Sequence, residues 1–128
     1  MPSDLFSATE ITAWQHRLNN SAEFAEAAAD WHGRLLLIEE DPTGGTRRAW
    51  LVIDHGQCAE ARVGEPADQD SADYALAASP DTWSDLTAAR TTPALAAMGG
   101  RLSLRKGAVM ALLPHARAAA ALLAAFAP

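Results

Sequence analysis

Between residues 7 and 31 the apolar positions recur at helical spacing. Ile11, Trp14 and Leu18 stand at i, i+3 and i+7, the stripe of an amphipathic helix. Ser7 precedes Glu10 by three positions, the spacing of a capping box, so a helix is predicted over residues 7–18. The run NNS breaks it. Ser21 then caps a second helix with Phe24, Ala28 and Trp31 on one side, and Gly33 is expected to end it.

Beyond Gly33 the pattern shortens to strand length. RLLLIEE (34–40), RRAWLVID (47–54) and CAEARV (58–63) are separated by the turn runs DPTGG and HGQ, which predicts an antiparallel meander. GEPADQDS reads as an acidic surface loop. ADYALAA (72–78) alternates, with Ala72, Tyr74 and Leu76 on one face. Ser79-Pro80 and Thr92-Pro93 each open a short helix, since Ser or Thr caps the first turn and Pro fits it. The first brings Trp83 and Leu86 to the core; the second carries Leu95 and Met98 and stops at Gly99-Gly100. RLSLRKG supplies a fifth strand with Leu102 and Leu104 inward.

A last helix is expected over residues 107–126, with Val109, Leu112, Leu113, Ala116, Ala120 and Leu123 as its apolar stripe and a kink at Pro114. The order of elements predicts an α+β fold over residues 1–128 as one domain. Its five-stranded, mostly antiparallel sheet is covered by helices mainly on one face.

Composition narrows the function classes. The formal net charge of −6 argues against a nucleic-acid backbone or an anionic membrane surface as partner, although a local basic patch can persist under a negative total. One cysteine, Cys58, leaves no intramolecular disulfide and no Cys-rich zinc site. The start, MPSDLFSATEITAW, lacks the basic and apolar regions of a signal peptide, so a cytoplasmic protein is expected. The apolar C-terminal run is interrupted by Pro114, His115 and Arg117, unlike a membrane span of about 20 strongly apolar residues.

Reactive side chains are sparse. His55 lies three residues before Cys58, and an imidazole beside a thiol can make a nucleophile, but nothing nearby supplies an orienting group. The blander reading is a turn histidine followed by a small buried cysteine. His16, His32 and His115 are scattered with no i, i+4 pair, so no metal is expected. The glycine pairs at 44–45 and 99–100 mark a turn and a helix stop, not a phosphate cradle.

The run ADYALAASPDTW, followed by TPALAAMGGRLSLRKG, resembles the second half of the sterol carrier protein type 2 (SCP-2) domain. The succession GRLLLI, AWLVIDHGQC and ADYAL is similar to that domain's opening hairpins, so the likeness covers nearly the whole chain. Arg101 stands where the family commonly has Lys, and Thr92 where it often has Asp or Asn, which caps the same helix. The Ala-rich, Pro-containing C-terminus resembles small stand-alone bacterial members. The resemblance implies a non-enzymatic protein without a cofactor. It would hold a fatty acid, acyl-CoA or similar elongated lipid in an apolar tunnel between sheet and helices. Ligand preference varies within the family, so "sterol" is not carried over.

On that reading Trp50, Val52, Tyr74, Leu76, Leu102 and Leu104 form the sheet wall of a tunnel. Trp83, Leu86, Leu95, Met98, Met110 and Leu113 form the opposite wall and the mouth. Arg101, Arg105, Lys106 and Arg117 are the candidates to receive an acidic headgroup. The same apolar residues also suit plain core packing. Abundant Ala either leaves volume for a guest or lets backbones close the gap.

The final helix has only His115 and Arg117 as titratable side chains from Ala108 onward, so it is core cover, a lid, or a contact with a partner. The alternative to a lipid carrier is a ligand-free interaction module or homodimer built on that helix. A hydrolase using His55 and Cys58 is the third reading. No nucleic acid and no stable membrane insertion are expected.

Overall fold

A computed structural model describes residues 6–126, apart from the Val109 side chain. The ends of the expected domain and the Val109 member of the expected stripe therefore lie outside the described residues. The helices α1 (Ala8–Asn19) and α2 (Ala22–Ala27) precede the strands β1 (His32–Asp41), β2 (Gly45–Asp54) and β3 (Gln57–Val63). Then follow α3 (Asp68–Ser71), β4 (Tyr74–Ala78), α4 (Pro80–Thr87), α5 (Pro93–Met98) and β5 (Ser103–Lys106). The chain finishes with α6 (Val109–Leu112), one 3₁₀ turn (Leu113–His115) and α7 (Ala116–Ala124).

Four helices start where the sequence places them, because the side chain before each satisfies an orphan backbone donor. Ser7 Oγ accepts from the Glu10 amide at 3.2 Å, and Ser21 Oγ from that of Phe24 at 3.1 Å. Ser79 Oγ accepts from Thr82 at 3.3 Å, and Thr92 Oγ1 from Leu95 at 3.2 Å, with Pro80 and Pro93 in the first turns. Gly33 does not end α2. The helix stops at Ala28, and Gly33 already belongs to β1. The apolar period runs past the helix because buried Trp31 packs the turn into the sheet, where its carbonyl accepts the His55 amide at 2.8 Å.

Among the described residues five strands lie in the order β3-β2-β1-β4-β5. β1 pairs antiparallel with β2 (Leu36 opposite Trp50) and parallel with β4 (Leu37 opposite Leu76), in a sheet that is otherwise antiparallel. At the centre, β1 is covered on both faces, which is why its LLLI run does not alternate. The β2–β3 turn has positive φ at His55 (48°) and Gly56 (85°), the sign pattern of a type I′ hairpin. A Cβ on Gly56 would also stand 2.7 Å from the Ala25 carbonyl, so the turn can lie against α2 only with glycine there.

Leu35, Leu37, Leu51, Ile53, Leu76 and Ala78 point toward the main helical layer. There they meet Ile11, Trp14, Leu18, Phe24, Trp83, Leu86, Leu122 and Leu123. The opposite face has a smaller cluster, Leu36, Ile38, Trp50, Ala72, Ala75 and Ala77, with Val52 against it. Within the expected acidic loop, one helical turn, α3, packs beside β1 on this side. Ala72 thus faces away from Tyr74 and Leu76, because β4 begins only at Tyr74.

The single expected C-terminal helix is two helices joined by a 3₁₀ turn holding Pro114. The proline lacks the amide needed to continue α6 in α form, so the chain tightens there and α7 starts afresh at Ala116. The expected stripe breaks with it. The buried residues of α7 are Ala118, Ala119, Leu122 and Leu123.

Candidate functional site

A cavity of about 330 Å³ lies between the β4–β5 edge of the sheet and the elements α5, α6, the 3₁₀ turn and α7. Leu76, Leu102, Ser103 and Leu104 form its floor; Pro93, Ala94, Ala97 and Met98 one wall; Leu112, Leu113, Ala116 and Ala119 the roof. The only polar side chain in that lining is the Ser103 hydroxyl. Small residues make the space. Ala94 and Ala97 on α5 face Ala116 and Ala119 on α7, where larger side chains would meet. The volume falls at the lower end of the ~300–1,000 Å³ typical of small-molecule sites.

Gly107 shapes the edge of this region. Its φ is +90°, and a Cβ there would stand 2.6 Å from Tyr74 Cδ1 and 2.9 Å from the Asp73 carbonyl oxygen. Glycine therefore lets the chain turn from β5 into α6 directly beside Tyr74.

The structure gathers Leu76, Met98, Leu102, Leu104 and Leu113 of the expected tunnel residues around the cavity. It adds residues that apolar bulk did not signal: Pro93, Ala94, Ala97, Ser103, Leu112, Ala116 and Ala119. Trp50 and Val52 are elsewhere, on the opposite face of the sheet. In β2 the helix-facing positions are Ala49, Leu51 and Ile53, so strand alternation sends their neighbours the other way. Trp50 packs in the second cluster, with the Arg62 guanidinium 5.1 Å from the centre of its ring.

Trp83 and Leu86 are buried in the main core instead of the cavity wall, and Trp83 Nε1 donates to the Ile38 carbonyl at 2.9 Å. Tyr74 packs on the core beside Gly107 without lining the cavity. Leu95 and Met110 are outside the lining and exposed, at 61% and 77%. Their short helices bury other residues: α5 turns Pro93 and Ala96 inward. Met98 and Leu113 line the cavity while remaining 83% and 48% exposed, which identifies them as its lip.

The four candidate headgroup cations are already engaged. Arg101 pairs with Asp85 at 2.7 Å and Arg105 with Glu40 at 2.6 Å. Lys106 Nζ donates to the Gln69 and Asp70 carbonyls at 3.1 and 2.6 Å. Arg117 approaches Glu26 at 3.6 Å, with both side chains largely in solvent.

The Cys58 thiol is buried, and desolvation pushes its pKa up to about 12. Its Sγ donates to the Glu60 carbonyl at 3.3 Å, while His55 Nδ1 lies 2.6 Å from Asp54 Oδ1. A thiol held neutral in this way is a poor nucleophile. Among the described residues no group of three or more His, Cys, Asp or Glu is placed to hold a metal ion, and no helix is long and apolar enough to cross a membrane.

The model of the SCP-2 sterol transfer family matches residues 11–113. A crystal structure of sterol carrier protein 2 superposes with a TM-score of 0.85 at 33% identity, covering 96% of this chain and 97% of that one. A solution structure of a conserved hypothetical protein from Thermus thermophilus, described as possibly a sterol carrier protein, gives 0.83 at 33% identity over 96% and 87% of the two chains. The fold also recurs in a palmitated sterol carrier protein 2-like protein from Aedes aegypti, at a TM-score of 0.55 and 14% identity over 85% and 92%. No curated protein sequence matches the chain. A five-stranded sheet in this order, roofed on one face by these helices, together with the match over most of the sequence, places the chain in the SCP-2 sterol transfer family.

Proposed function

We propose that this protein binds an elongated apolar lipid, a fatty acid or acyl-CoA tail, in the cavity beneath α6 and α7 and carries it without transforming it. The observation that carries this reading is the lining: eleven apolar residues and one hydroxyl around about 330 Å³, opening between Met98 and Leu113. Apart from the Ser103 hydroxyl, which no base in the lining activates, such a wall has no group to protonate, attack or coordinate a guest, and each methylene it buries contributes ~0.8 kcal/mol. Family membership supports the lipid class, and the palmitated Aedes aegypti neighbour supports an acyl chain as one ligand that this fold accepts.

The homodimer reading draws less support. The apolar face of α7 is used within its own chain, against the main core, so a partner would have to be held by α6 and α5 alone.

The test is titration of a fluorescent fatty acid against the parent and Ala97→Phe, which places a ring in the cavity. Saturable binding by the parent, lost in the folded variant, is expected. Equal binding by both would place the ligand elsewhere. Native mass spectrometry of the purified protein, with an added mass matching one acyl chain, identifies the guest.

A further inference from the structure

The cavity is graded from its opening to a closed end. Along the roof, Leu113, Ala116 and Ala119 follow one another at three-residue steps. Exposure falls along them from 48% at Leu113, through half-buried Ala116, to 6% at Ala119. Leu122, next at that spacing, is 2% exposed and belongs to the main core, outside the lining. Alanines make the space, and a leucine closes it. Trp14 Nε1 fixes that stop by donating to the Leu122 carbonyl at 2.8 Å.

We propose that this cavity is a ruler for acyl chains, with Ala119 setting its depth: the chain enters tail first and its polar head stays at the lip. The assignment rests on the lipid-carrying function above and names the class of guest, a medium-length chain whose head is not read. A methylene in a packed chain fills roughly the 30 Å³ that a water molecule takes in the liquid, so about 330 Å³ holds about eleven carbons. Forcing more of them past Leu122 would overpack the core, which costs more than a buried methylene contributes. Carbons beyond that length remain at the mouth, in contact with water, and add little.

The head stays outside because nothing within receives it. No charged side chain lines the cavity, and a carboxylate taken into an apolar space loses its hydration without gaining a partner. The cations nearest the lining in sequence are engaged within the chain. Arg101 pairs with Asp85, Arg105 with Glu40 and Arg117 with Glu26, while Lys106 donates to the Gln69 and Asp70 carbonyls. Length is therefore the property that the cavity measures.

The experiment is displacement of a fluorescent fatty acid by octanoic, decanoic, dodecanoic, tetradecanoic and hexadecanoic acids, and by the alcohols of the same lengths. Affinity is expected to climb about fourfold per methylene up to dodecanoic acid, whose chain beyond the carboxyl matches the cavity, and to stay level from there. Each alcohol should bind within about threefold of its acid. Ala119→Leu, which fills the closed end, should move the break to decanoic acid or below. Ala119→Val is a milder intrusion that should shift it in the same direction even where the leucine is not accommodated.

Affinity that keeps climbing through hexadecanoic acid overturns the ruler, and so does an unmoved break in the folded Ala119 variants. An acid bound more than about tenfold tighter than its alcohol would show a cation receiving the head, against tail-first entry. Absence of binding by every chain would refute the carrier reading itself, and the ruler with it.

Discussion

The two halves of the C-terminal segment have nearly the same composition and opposite circumstances. α7 is fixed along one face and at its far end. Ala118, Ala119, Leu122 and Leu123 are buried, and α1 holds its far end. Trp14 Nε1 donates to the Leu122 carbonyl at 2.8 Å. Arg17 donates to those of Ala125 and Phe126 at 3.2 and 2.6 Å and lies over the Phe126 ring. These donors satisfy carbonyls that a helix end otherwise leaves unpaired, and the cation complements the helix dipole. α6 and the 3₁₀ turn are held by less: His115 stacks on Trp31 with ring centres 5.5 Å apart, while Met110 and Leu113 stand in solvent. Apolarity alone therefore does not assign a helix to the core. What decides is whether other elements reach it, as α1, α2 and α4 reach α7.

The comparison breaks most readily at the anchored end. Leu122→Ala should destabilise the fold by about 2–5 kcal/mol, through lost burial and a residual cavity. Met110→Ala should change stability by no more than about 0.5 kcal/mol, as at an exposed site. Chemical denaturation of both variants measures the contrast, and equal losses would show that α6 is packed as tightly as α7. At the lip, Leu113→Asp should leave the unfolding midpoint nearly unchanged yet weaken fatty-acid uptake by about tenfold or more, since a charge at the opening must be desolvated as the chain enters. Uptake equal to the parent's would remove Leu113 from the entrance.

A subtler difference concerns motion. Local opening costs least where few apolar contacts must break. The α6 amides should exchange with deuterium well before those of α7, and bound fatty acid should slow exchange in α6 alone. Simultaneous exchange of the two helices, with and without ligand, would make them one cooperative unit and cancel the distinction between anchor and lip.

These contrasts also explain what could be read from the chain in advance. Ser7, Ser21, Ser79 and Thr92 announced four helix starts because a cap is a local bond, made within three residues. The hairpins were similarly local, set by their turn residues. Facing was not. Trp50 and Leu51 are equally apolar neighbours on β2, and with both faces of the sheet covered no polar residue marks an outside. The cavity was hidden for a related reason. Ala94, Ala97, Ala116 and Ala119 enclose space only because α5 and α7 meet at those positions, and sequence spacing within either helix does not encode that meeting. Leu95 and Met98 looked like core because they are large, whereas α5 buries small Ala96 and Pro93 and leaves the bulk outside.

The smallest expected effect concerns the ion pairs that tie Arg90 and Arg101, the latter just before β5, to Asp85 on α4. The Arg101 guanidinium, and after it that of Arg90, holds the Asp85 carboxyl below its ordinary value of 3.8. A carboxyl with a depressed folded-state pKa stabilises the fold fully above its unfolded pKa, and that contribution fades as pH falls through the folded value. The parent should thus keep this contribution at neutral pH and lose it only below about pH 4. Asp85→Asn lacks it throughout, so parent and variant should differ in melting temperature at pH 7 and converge toward about pH 2. A difference that stays constant over that range would mean that Asp85 acts through packing or helix geometry and not through its charge. Because Arg101 leads into the cavity floor at Leu102, the variant should also speed exchange around the lip while leaving the Trp14 and Arg17 clamp on α7 unaffected.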